Sequence, residues 1–173
     1  MLEALIFVVF PFCMVFAAVS DTLSMTIANR VSVILVVTFA VAAPLTGMDW
    51  TNYGWHFAAA ASVLAVTFVM FAIGGMGGGD AKLMAATALW MGLNFNLLVY
   101  LVTSAFLGGM LTLLILYYRK SPLADWTGGN MFLRHFANPT GGVPYGVALG
   151  VGGLLTYPDS PLMLWAIERM SGH

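Results

Sequence analysis

Four stretches of this chain, at about 4–20, 31–47, 54–73 and 97–118, contain no Asp, Glu, Lys or Arg. A run of roughly 20 apolar residues is what a helix needs to cross the hydrocarbon core of a bilayer. In water, so many such runs would need an ample polar surface around them. Of the 173 residues, 61% are hydrophobic and only 8% charged, where soluble domains carry about 25% charged residues. Six Lys/Arg and seven Asp/Glu cannot keep that much apolar area hydrated, so lipid is the solvent of this fold.

Two further apolar stretches, about 81–93 and 143–157, are shorter and rich in Ala, Gly, Leu or Met. Together the six predict an all-α, polytopic membrane protein with about six transmembrane helices. They form a single domain over 1–173, with an interfacial or cytoplasmic loop at about 119–142. The glycines of the sixth stretch, Gly146, Gly150, Gly152 and Gly153, permit close helix contact without naming the partner. The first 20 residues carry Glu3 instead of a basic start, and Ala17-Ala18-Val19 makes a poor cleavage site, so they read as a retained helix.

Charge sets the orientation, because Lys and Arg concentrate in cytoplasmic loops. With the N-terminus outside, six crossings place Arg30, Lys82, Arg119, Lys120 and Arg134 inside and only Arg169 outside. Fusing 81–118 into one crossing would move Arg119, Lys120 and Arg134 outside, a worse partition. The net charge of −1 offers nucleic acid no basic face. The one cysteine, Cys13, lies in an apolar run where packing explains it.

Five of the seven acids fit solvated loops or tails. Asp21 and Asp80 do not fit so simply. Asp21 closes the first apolar run with no Lys or Arg beside it, and Asp80 follows Gly74-Gly75-Met76-Gly77-Gly78-Gly79 at the head of the fourth stretch. Six crossings put both at cytoplasmic helix ends. A helix over 80–93 would be ~20 Å long, against a ~30 Å hydrocarbon core. Unless the bilayer is thinned there, one end of the helix starts inside the membrane, and if that is the Asp80 end its Gly-rich entry must be covered by protein or line a wet cavity.

Each acid has a bland reading: Asp80 as a helix N-cap, Asp21 as the start of a polar loop with Thr22, Ser24 and Thr26. As a pair they suggest more, since two neighbouring carboxyls share a proton, one accepting from water while the other donates to a carbonyl oxygen. That is aspartic protease chemistry. Gly77 and Gly79 would let the backbone approach a substrate strand. Lys82 reads as an anchor to the inner surface, with modulation of Asp80 as its functional alternative. His56, His135 and His173 show no ligand spacing, so no metal is expected. The glycine run lacks the Lys-Ser/Thr of a phosphate loop, and no cofactor is expected. Ser20 and Ser104 sit in no nucleophile motif. The rival function is a small transporter or non-enzymatic assembly subunit whose acids bind protons or cations.

The stretch Gly77-Gly78-Gly79-Asp80-Ala81-Lys82-Leu83-Met84-Ala85-Ala86 resembles the G-x-G-D-x-K-L-x-A-A signature of the type IV prepilin peptidases, GxGD intramembrane aspartic proteases. Asp21, followed six residues later by Ile27-Ala28-Asn29, is similar to that family's first aspartate region, with Ala28 where the family has proline. Val143-Pro144-Tyr145-Gly146-Val147-Ala148-Leu149 resembles its I-P-Y-G-x-A-L segment. The resemblance implies an inner-membrane endopeptidase with Asp21 and Asp80 as catalytic pair and its active site facing the cytoplasm. Its substrate would be a prepilin, leader and adjoining helix, cut after a glycine. With one cysteine and a start at its first span, the chain looks like the short, peptidase-only form of Flp or tight-adherence systems (TadV/CpaA-like), without methyl transfer. Related archaeal preflagellin peptidases fit nearly as well. The 119–142 loop, with Trp126, Phe132 and Phe136, reads as an interfacial connector, or as a guide for substrate.

Overall fold

The computed structural model describes residues 1–121 and 142–172, and every regular element among them is helical. The helices are α1 (Leu2–Ser24), α2 (Asn29–Leu45), α3 (Trp50–Ala72), α4 (Gly78–Met91), α5 (Phe95–Arg119), α6 (Tyr145–Thr156) and α7 (Pro161–Ser171). A 3₁₀ turn at Tyr157–Asp159 joins the last two. Trp126, Phe132 and Phe136 lie outside the described residues, as do His135 and His173.

Helices α1, α3 and α5, of 23, 23 and 25 residues, are long and apolar enough to cross a membrane, and α2 is a shorter apolar helix of 17. The chain is a helical membrane protein. The six stretches read from the sequence coincide with α1 to α6, and several of their boundaries have a local cause. Asp49 caps α3 by accepting from the Asn52 amide, and Asn94 caps α5 by accepting from Asn96 and Leu97. Helix α1 ends on Met25 in the left-handed region, φ 52°. There the Ser20 hydroxyl reaches forward to the Thr26 carbonyl at 2.9 Å and turns the chain into α2.

The short helix α4 is the centre of the bundle. From Leu83 to Met91 every side chain is buried, because α4 is apolar on all sides and is surrounded by α2, α3, α5 and α6. Its far end is pinned by polar contacts that lipid could not supply. The Trp90 indole N–H donates to the Leu35 carbonyl at 3.1 Å, and His56 Nδ1 bonds the Leu89 carbonyl at 2.7 Å. Phe10 stacks on Tyr157, whose hydroxyl donates to the Ile6 carbonyl at 2.6 Å.

Helix α6 completes the enclosure, and its glycines now have named partners. A Cβ on Gly150 would lie 2.8 Å from the Met14 carbonyl oxygen, and one on Gly153 would lie 3.0 Å from Met14 Sδ, so this edge seats on α1. Gly152 faces Ser104 of α5 instead. Without side chains between them the backbones approach closely and pack where lipid provides no hydrophobic drive for association.

The packing predicts an asymmetry between glycines. Gly150→Val should destabilise the fold by about 1–3 kcal/mol through overpacking, read as a lowered Tm of the purified protein in detergent. Gly109→Ala, whose added methyl meets open space, should leave Tm unchanged or raise it.

Candidate active site

Asp21 is not in a loop. Helix α1 continues through Ser24, so Asp21 sits in its last turns, with its side chain inside the bundle and the residue only 5% exposed. The polar residues around it continue the helix by bonding back along it: Thr22 Oγ1 to the Ala18 carbonyl at 2.8 Å, and Ser24 Oγ to the Ser20 carbonyl at 2.7 Å. Asp21 lies near the negative end of its own helix and must find a donor elsewhere. It finds one 125 residues away, where the Gly146 amide donates to Asp21 Oδ2 at 2.7 Å. Gly146 is the second residue of α6, and Pro144, which precedes that helix, gives it no side-chain cap. Asp21 therefore caps α6 from α1.

Asp80 is not the N-cap of α4. That position belongs to Gly77, and Asp80 is the third helical residue, its carboxyl folding back over Gly77. This is the acidic half of a capping box. The two acids thus stand at the openings of two different short helices, and the glycines beside them, Gly79 and Gly146, both pack against Ile27.

The glycines of the motif serve this placement. A Cβ on Gly77 would lie 2.7 Å from Asp80 Oδ2, so its absence makes room for the returning carboxyl. A Cβ on Gly79 would lie 3.2 Å from Ile27 Cβ and 3.4 Å from the Ile27 backbone, so Gly79 seats α4 directly on the link between α1 and α2. Lys82 does not face Asp80, because helical residues two apart point to different sides. Its Nζ donates to Asn29 Oδ1 at 2.9 Å, tying α4 to the start of α2.

Gly146, Tyr145, Ile27 and Asn29 join the site without a role assigned from sequence. All four lie in the short motifs quoted above, which was the available signal. A Cβ on Gly146 would come within 2.8 Å of both Asp21 Oδ2 and Ile27 Cδ1, so only glycine lets α6 present its amide here. The buried hydroxyls of Tyr100 and Ser104, both on α5, have no hydrogen-bond partner of good geometry. His56 belongs to the far end of α4, nine residues beyond Asp80, and is a packing residue stacked near Phe39. Among the described residues no three His, Cys, Asp or Glu side chains converge as a metal site would need.

Beside the acids, an apolar groove of 520 Å³ runs between α2, α3 and α4 past Val33, Val36, Phe57, Ala60 and Leu89. Asn29 and Lys82 also line it, and they lie at the end of α4 that carries Asp80.

Comparison with curated proteins and with solved structures finds no match. Residues 8–113 match the type IV leader peptidase family, a span that takes in both Asp21 and Asp80 and ends within α5. That span is well over half of the chain, which therefore belongs to the type IV leader peptidase family.

Proposed function

We propose that this leader peptidase is an aspartic endopeptidase that removes the leader of type IV prepilins of the Flp type, with Asp21 and Asp80 as its catalytic dyad. The observation that carries the reading is that two acids from distant parts of the chain flank one residue, Ile27: Gly146, whose amide holds Asp21, and Gly79, next to Asp80, both pack against it. Charged or ionisable groups are costly inside a membrane protein, and a pair of them is most simply functional.

The chemistry needs no other group to balance. One carboxylate takes a proton from water, whose oxygen attacks the scissile carbonyl carbon while the protonated partner gives its proton to the carbonyl oxygen. The tetrahedral gem-diol then collapses: the C–N bond breaks, the leaving amine takes a proton from the acid that had accepted it, and one hydroxyl gives its proton back to the other acid as the C=O of the product carboxyl re-forms. One shared proton is restored to the pair.

Six crossings by α1 to α6 with the N-terminus outside would put both acids at the inner surface of the cytoplasmic membrane. The lopsided distribution of Lys and Arg supports this orientation. The groove along α2, α3 and α4 suits the apolar helix that adjoins a prepilin leader, and brings the segment before it to Asp80. Lys82 and Asn29 shape the mouth of that groove.

Two measurements bear on this directly. Asp21→Asn and Asp80→Asn should each abolish cleavage of a co-expressed prepilin, by at least ~10²-fold, while the protein remains membrane-inserted; an active Asn variant refutes the dyad. The cleavage rate should also fall on both sides of a pH optimum, because the paired acids must hold one proton between them, and a monotonic profile would contradict proton sharing.

A further inference from the structure

Tyr145 opens α6, one residue before the amide that holds Asp21. Its ring is seated on α5, where the space a side chain would fill at Gly108 is taken by the ring edge, 2.7 Å from Tyr145 Oη in the case of a Cβ. Backed by α5 in this way, the phenol is half-buried and belongs to the residue joined to Gly146, whose amide donates to Asp21 Oδ2 at 2.7 Å. Its hydroxyl makes no hydrogen bond to any described residue. Tyr100, a second phenol, is 0% exposed and sealed between Thr87 and Ser104. Of the two, only Tyr145 is partly exposed, and it is the one joined directly to the residue whose amide holds Asp21.

We propose that Tyr145 is a third catalytic residue, whose hydroxyl donates a hydrogen bond to the scissile carbonyl oxygen, with Gly108 as the positioning residue that seats its ring. An aspartic dyad supplies a proton to that oxygen but surrounds it with acceptors. A fixed neutral donor stabilises the charge that builds there before the proton has fully moved. The phenol suits the role because its ring is held by packing between α5 and α6, so little reorganisation is needed as the reaction proceeds. The proposal rests on the Asp21/Asp80 reading above.

The test uses the purified full-length chain and a synthetic leader-containing peptide. Tyr145→Phe keeps the ring in its seat and removes only the donor. Its kcat should fall on the order of a hundredfold, with KM nearly unchanged, as for loss of an interaction made only in the transition state. Gly108→Ala should lower kcat by unseating the ring, yet add little in the Tyr145→Phe background, where the hydroxyl is already gone. Wild-type kcat in Tyr145→Phe overturns the proposal, and so does a Gly108→Ala loss of equal factor in both backgrounds. If Tyr145→Phe fails to fold, Gly108→Ala alone must lower kcat while Gly109→Ala, with its methyl in open space, must not; equal activity of these two overturns it. An inactive Asp80→Asn beside a fully active Tyr145→Phe removes only the role of Tyr145, whereas an active Asp80→Asn removes the dyad itself.

Discussion

The arrangement depends on a mutual satisfaction of groups that lipid cannot serve. The first turn of a helix leaves open amides, and a carboxyl away from water lacks donors; either alone is costly in a low-dielectric interior. Here two short helices, α4 and α6, begin close to the same place, and each opening meets an acid. Asp80 folds back onto the start of its own helix, while Asp21 reaches from the end of α1 to the start of α6. The same contacts that make α4 and α6 tolerable in a membrane bring two acids from distant parts of the chain to flank Ile27.

Close approach of backbones is the means. Glycines at 79, 146 and 150 lie against Ile27, Asp21 and Met14, and a methyl group at any of them would meet an atom at 3.2 Å or less. Their absence of side chains therefore fixes distances among α1, α4 and α6 and confers no looseness on the site. The long helices α1, α3 and α5 supply the apolar frame, and the polar pins at Trp90 and His56 hold the opposite end of α4 in register. Pinning at one end and close packing of the helix openings at the other leave the acids little freedom to drift apart.

Much of this was legible in the chain itself. Lipid as solvent, the helical class and the six apolar segments follow from the near absence of charge, since hydrogen-bonded backbone is the only form a single apolar segment can take in a bilayer. The isolation of Asp21 and Asp80 among apolar residues was equally visible. Local roles were read less well. Asp80 looked like a cap and is instead three residues into the helix; Asp21 looked like a loop residue and is helical; Gly77 and Gly79 looked open and are filled by Asp80 and Ile27. In each case the deciding neighbour was a non-local or side-chain contact that local pattern does not encode.

The sequence by itself determined the solvent, the secondary structure and which acids were out of place, because hydropathy and helical hydrogen bonding act over one segment at a time. Only the tertiary structure decided that the amide of Gly146 would hold Asp21, that Lys82 would turn to Asn29, and that Tyr145 would rest on Gly108. Those pairings join residues from 37 to 125 positions apart. They exist because helix packing, acting through small residues, selects which polar groups become one another's only available partners.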